Sequence, residues 1–287
     1  VSEVSLDPDA ARDAHHTRRA CDHPVARVQT FYKEVCLMVI VKLRLIHKAA
    51  IFHLCAALAM ATTAIASPLH LVTENYPPYN YAEDGQLKGL SVELMHLVMA
   101  DAGLEYDMEL MPWARAIALA ENKNGYCVFT TVHTVERDTR FQWVEPLLIS
   151  YNYLVKSADS NVHAATLEEA RQYLVGTQRG DYTAELLESL QFKRIDLASD
   201  IEVTLNKLLL GRIDLMPMAG TLVDELRQKG TPLKPLLVLT KALNGVACNK
   251  EIPAETIAKM QASLAKLTED GTWDSIYKKH GFKQNEL

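Results

Sequence analysis

The chain has 287 residues, is 48% hydrophobic and 23% charged, and carries a formal net charge of −6. This is an ordinary globular composition with a real core, enough for one large or two small domains. The acidic balance excludes a protein built around nucleic acid, which needs a basic face.

Residues 1–66 read as a leader. Residues 1–37 are polar, irregular and rich in His and Arg, and are expected to be untranslated, with the true start at Met38. A genuine extended leader is the alternative. Residues 38–66 read as a signal peptide. Lys42, Arg44 and Lys48 form a basic region, residues 49–61 an apolar one, and Ala64-Ile-Ala66 a small-x-small cleavage signal, with cutting expected before Ser67. The apolar run is short of the ~20 residues a membrane span needs, and His53 interrupts it. The residues from 67 onward are therefore expected in the periplasm. Of five cysteines, only Cys127 and Cys248 remain beyond the leader. An oxidising compartment invites a bridge between them, and two buried thiols are the alternative.

From Ser67 on, strand and helix signals alternate. Residues 69–74 read as a strand, then 91–102 as a helix with Ser91 as N-cap and Gly103 as its stop. A strand over 106–111, a helix over 112–122 and a strand over 126–132 follow, with 151–156 extended. In the second series Thr166 to Glu169 forms a capping box. Strands are expected over 173–177, 195–198, 213–218, 236–239 and 245–249. Helices are expected over 182–190, 200–210, 221–229 and 253–268, and a last one from Thr272 to near His280. This βαβ repetition predicts an α/β fold with mostly parallel strands. Two α/β series without a Gly-, Pro- or Ser-rich linker suggest two lobes with the chain crossing between them, and a ligand cleft where they meet.

The most informative stretch is Thr130-Thr-Val-His-Thr-Val-Glu-Arg137. A strand runs into a hydroxyl-rich turn, and an arginine follows at a helix start. A guanidinium offers five donors in a fork that fits a carboxylate, and the helix start adds free N–H groups. This reads as an anion clamp, with a surface ion pair as the alternative. Trp113 and Arg115, in Pro112-Trp-Ala-Arg115, read as a stacking ring and a second cation for the ligand. His133, beside the clamp, is a further candidate contact. The histidines after the leader show no metal-ligand spacing, so no metal is expected. Neither a phosphate loop nor a nucleophile elbow is present, and no cofactor is expected.

Six pieces, in order, resemble the periplasmic solute-binding proteins of ABC importers, polar amino-acid-type (bacterial extracellular solute-binding protein family 3). They are Glu74-Asn-Tyr-Pro-Pro-Tyr79, Gly85 to Leu94, Thr134-Val-Glu-Arg137, Trp143-Val-Glu-Pro146, Gly211-Arg-Ile-Asp214 and Glu269 to Gly281. The resemblance implies a two-lobed type II periplasmic-binding fold with two inter-lobe crossings. Lobe one would be 67–155 and 244–287, and lobe two 156–243. It also implies that Cys127 and Cys248 lie on adjacent strands. It places Tyr76 over the ligand, Arg137 on its carboxylate and Thr130 near the contacts before the clamp. Gly180 and Asp181 would offer N–H groups from lobe two. The partners implied are a small-molecule ligand and an ABC permease of the inner membrane, with the protein a monomer and no catalytic residues.

The chain departs from that pattern after Asp214. Family members that bind amino acids place an acid there for the ligand ammonium, but Leu215-Met-Pro-Met-Ala-Gly220 has none. The expected ligand is therefore a small carboxylate-bearing or amino-acid-like solute, with a standard α-amino acid in question. A ligand-sensing module without transport is the second reading. A periplasmic dehydratase-like enzyme is the third, for which Glu74 and Asp181 are the candidate acids.

Overall fold

The computed structural model describes residues 67–282, together with Lys42 and Arg44. The expected signal peptide and its cut, and residues 1–37, lie outside the described residues. No helix among the described residues is long and apolar enough to cross a membrane.

In chain order the elements are β1 (Leu69–Thr73), the hairpin β2 (Tyr81–Glu83) and β3 (Gln86–Lys88), α1 (Leu90–Ala102), β4 (Tyr106–Leu110), α2 (Trp113–Asn122), β5 (Tyr126–Val132), α3 (Val135–Asp138) and β6 (Gln142–Ser157). Then come α4 (Leu167–Ala170), β7 (Val175–Gln178), α5 (Tyr182–Ser189), β8 (Ile195–Ala198), α6 (Ile201–Leu209), β9 (Met216–Ala219) and α7 (Gly220–Gln228). The long β10 (Leu233–Cys248), α8 (Ala254–Glu269) and α9 (Thr272–Lys279) complete the described fold.

The fold is the two-lobed α/β arrangement of type II periplasmic binding proteins. Its spine is the antiparallel pair β6 and β10, which runs from Leu233 opposite Ser157 to Cys248 opposite Gln142. Each strand has 16 residues, on the order of 50 Å of extended chain. At one end β5 joins β10, and at the other β9 joins β6, giving the strand order β4-β1-β5-β10-β6-β9. β7 and β8 form a separate parallel pair.

Two expectations are corrected here. Strands are parallel only within β4-β1-β5 and β7-β8, because the chain returns between the lobes and β10 runs against both its neighbours. The strands expected over 236–239 and 245–249 are one strand. Pairing along β6 carries the chain through Ala242, Leu243 and Asn244, and Gly245 pairs with Thr131 of β5, although Asn and Gly are poor strand formers.

β1 and the first part of β5 are buried on both faces, whereas the edge strand β4 alternates half-buried and exposed residues. Leu71, Cys127 and Phe129 pack on one side with α1, α8 and α9, and Val72, Val128, Trp113 and Ile117 pack on the other. Where β6 pairs with β9, Leu154 and Val155 likewise point into two different clusters. Cys127 and Cys248 face each other across β5 and β10 and are disulfide-bonded.

α1 begins before Ser91. Its cap is Gly89, with φ 122°, and a Cβ there would stand 2.3 Å from the Tyr79 carbonyl oxygen, so only glycine fits. Ser91 is buried inside the helix instead of capping it. Gly103 ends the helix in the left-handed region, as its position in the sequence predicts.

Candidate functional site

A cavity of about 70 Å³ lies between the lobes. Tyr76 and Glu74 reach it from the loop after β1, Trp113 from α2, and Thr130, Val132 and Arg137 from the end of β5 and from α3. Gln178, Asp181 and Tyr182 close the opposite wall. Ser150, Asn152 and Asn244, from the crossing strands, form a polar floor. There Asn244 donates to Ser150 Oγ at 3.0 Å.

Thr130 occupies its place through a β-bulge. Gly245 pairs with Thr131 and Val246 with Phe129, so Thr130 is the unopposed residue on β5. Its φ is +59°, which a β-branched side chain adopts only under strain. Its buried hydroxyl has no hydrogen-bond partner among the described residues.

Arg137 is 1% exposed, and its buried charge has no salt-bridge partner among the described residues. Two of its nitrogens donate to backbone carbonyls, one to Val132 at 3.0 Å and one to Gly180 at 3.3 Å across the cleft. Its guanidinium carbon lies 5.6 Å from the Trp113 ring centre. Nε remains without a partner. Burial lowers its pKa, opposed by the charges of Asp181 and Glu185. Truncating one partner of a buried ion pair costs about 3–5 kcal/mol, which is the scale of the penalty for an uncompensated buried charge. This cation therefore calls for an anion in the cavity.

Glu74 poses the complementary problem. It accepts a hydrogen bond from Gln178 Nε2 at 2.9 Å. Desolvation holds its carboxyl well above the usual carboxylate range, and Asp181 and Asp200 push it further in the same direction. The acid absent after Asp214 thus has counterparts elsewhere in the cleft, in Glu74 and Asp181. The stretch after Asp214 contributes Met216, Pro217 and Ala219 to the wall. Asp181 caps α5, accepting from the Thr183 backbone N–H at 2.8 Å and from the Thr183 hydroxyl. Tyr76 closes another side, its hydroxyl accepting from Ala219 N–H at 3.0 Å, and burial raises its pKa.

Tyr76, Trp113, Thr130, Arg137 and Asp181 therefore line one cavity, while three other candidates do not. Arg115 is exposed, two residues beyond Trp113 on the same helix. At about 100° per residue it points away from the face Trp113 presents. His133 stacks on Trp143 with ring centres 4.2 Å apart, and its ring is held by Glu145 at 2.8 Å and by Asp138. Burial lowers its pKa, but the two carboxylates outweigh this and the net shift is upward. Gly180 stands behind the wall and acts through its carbonyl, which accepts from Trp113 Nε1 at 2.8 Å as well as from Arg137.

Sequence reasoning passed over Ser150, Asn152, Asn244, Gln178 and Tyr182. Two asparagines within strand-forming stretches were the available signal, since strands are depleted in Asn.

A bilobal body with a charged cleft between its halves is the architecture that solute-binding proteins share. The model of the bacterial extracellular solute-binding proteins, family 3, matches residues 69–284, and the chain belongs to that family. No curated protein sequence matches it. Among solved structures it is similar to the arginine-, lysine-, histidine-binding protein ArtJ from Geobacillus stearothermophilus, at 22% identity and TM-score 0.67, covering 74% of this chain and 94% of that one. It is similar to a histidine kinase sensor domain at 22% and 0.67, covering 74% and 95%. The GluR0 ligand-binding core from Nostoc punctiforme, in complex with glutamate, matches at 18% and 0.64, covering 74% and 98%. At these identities the likeness concerns the fold.

Proposed function

We propose that this protein is a periplasmic solute-binding protein that captures a small amino-acid-like zwitterion and delivers it to an ABC permease of the inner membrane. The carrying observation is that one cavity holds a buried cation, Arg137, and a desolvated acid, Glu74, that do not pair with each other. A ligand carboxylate would satisfy Arg137 Nε and the Thr130 hydroxyl, and its ammonium would satisfy Glu74 and Asp181. The names of similar structures, an arginine-binding protein and a glutamate complex among them, support an amino-acid-like ligand. The lobe limits we propose are 67–155 with 244–287, and 156–243. Contacts from both lobes make the closed form the tighter binder, so ligand shifts the population toward closure. The family supports binding over catalysis, and export through a cleaved signal peptide is part of the proposal.

The similarity to a histidine kinase sensor domain favours one second reading, a sensor that reports the bound ligand without transport. Native mass spectrometry of protein purified from the periplasm without denaturation tests the main reading. A co-purified small zwitterion that also lowers the radius of gyration in solution scattering is expected. A bound species with no carboxylate would refute it.

A further inference from the structure

Strand alternation gives the crossing strand β6 two different faces. Ser150 and Asn152 border the front cleft, while Ile149, Tyr151 and Tyr153 line a second, rear cavity of about 440 Å³ that shares Ser150 and Tyr79 with the first. Tyr79, Tyr277 and Phe282 wall this rear cavity from the first lobe, and Gly220, Thr221 and Asp224 from the start of α7. Its rings pack on one another, Phe282 lying 5.6 Å from Tyr79 and 5.6 Å from Tyr277. Tyr153 packs against bare backbone, since a Cβ on Gly220 would come within 2.8 Å of its ring. Among the described residues the only charged one in the lining is Asp224, an exposed carboxylate with a long 3.6 Å contact to Arg227. Tyr151 already carries a cation, the Lys241 ammonium 5.6 Å from its ring centre.

We propose that this rear cavity is a second ligand site, for a small organic cation with an apolar or aromatic body, and that its occupant favours closure of the front cleft. Aromatic faces attract cations through the ring quadrupole, and a carboxylate at the rim completes the charge complement. The coupling follows from placement. The two cavities share Tyr79 and Ser150 in their walls, and each has walls from both lobes. The Tyr79 hydroxyl, which accepts from Thr221 Oγ1 at 2.7 Å, ties the first lobe to the start of α7 at this wall, so a rotation between the lobes would reshape the rear. A molecule wedged in the rear opposes that rotation and so favours the closed front. By linkage, the front ligand tightens rear binding by the same factor. Only this coupling rests on the cleft reading; rear binding stands without it.

Titration calorimetry with benzyltrimethylammonium as probe, on the whole protein, tests the site. Asp224 is exposed, so Asp224→Asn should fold normally, and Tyr153→Leu provides an independent second variant. The expected result is binding by wild type and by Arg137→Ala, weakened ~10-fold or more in Asp224→Asn and in Tyr153→Leu. Benzyl alcohol, the neutral control, should not bind. Saturating probe should also lower the radius of gyration and raise front-ligand affinity ~5-fold or more, within the usual range of coupling. No binding by wild type, equal binding by both rear variants, equal binding of benzyl alcohol, or loss of binding in Arg137→Ala alone would each overturn the site. Rear binding that leaves the radius of gyration and front affinity unchanged would overturn the coupling.

Discussion

Arg137 and Glu74 line the same cavity and are stabilised in different ways. The arginine is fixed before any ligand arrives: two backbone carbonyls and the Trp113 face hold its guanidinium, and only Nε is left over. The glutamate has one amide donor from across the cleft and two like charges acting on it. The first group is a preorganised cation, which we propose receives the anionic end of the ligand. The second is a carboxyl that desolvation and two like charges hold well above the usual carboxylate range, so a cation brought to it would favour its charged form. A ligand carboxylate should therefore supply most of the affinity, and a ligand cation should tune it.

The largest effect should come from Arg137→Ala. Truncating one member of a buried charge pair costs about 2–5 kcal/mol, so calorimetry should show affinity falling by about two orders of magnitude or more. Arg137→Lys should rescue little, because the planar fork that spans Val132, Gly180 and the ligand is lost. Unchanged affinity in Arg137→Ala would remove the clamp from the cleft.

A smaller and more selective effect is expected from Glu74→Gln. A cationic ligand should lose ~10-fold in affinity, the scale of one charge-assisted hydrogen bond, while a simple carboxylate should lose nothing. The variant also separates stability from binding. Glu74 has a folded pKa raised well above its ordinary value of about 4.3, so the folded protein binds a proton that the unfolded chain releases. Its contribution is therefore full below about pH 4 and is lost as pH rises through the folded value. Glu74→Gln should melt higher than wild type at neutral pH and converge with it near pH 4. A lower melting temperature at neutral pH would show that Gln178 alone compensates the charge.

His133 should matter only to stability. Its raised pKa means the protonated ring, set between Glu145 and Asp138, stabilises the fold fully below about pH 6.5 and progressively less as pH rises through the folded value. Melting curves of His133→Gln should fall below wild type at pH 6 and match it at pH 9, with ligand affinity unchanged at both. Arg115→Ala should do least. The residue is exposed, so a change beyond twofold in affinity would return it to the cleft.

Much of the fold could be read from local signals, because those signals act over a few residues. The stop at Gly103, the Thr166 cap of α4, which accepts from Glu169 N–H at 3.2 Å, and the strand over 126–132 needed no tertiary context. Arg137 was legible for a related reason, a guanidinium after a hydroxyl-rich turn being a local pattern. Arg115 was misread because adjacency to Trp113 in sequence is not adjacency on a helix. His133 was misread because its partners Glu145 and Trp143 come from the next strand and outbid the cleft.

The amino-acid order by itself determined the α/β alternation, the capping box at Thr166, the stop at Gly103, and the family to which the residues from 69 to 284 belong. Only the tertiary structure decided that β10 is continuous, that Thr130 is the bulge residue, and that Glu74 stands in the cleft wall beside Gln178, 104 positions away. The physical reason is that helix propensity and capping are settled within a turn of chain. The environment of a charge is set by whichever distant segments exclude water from it.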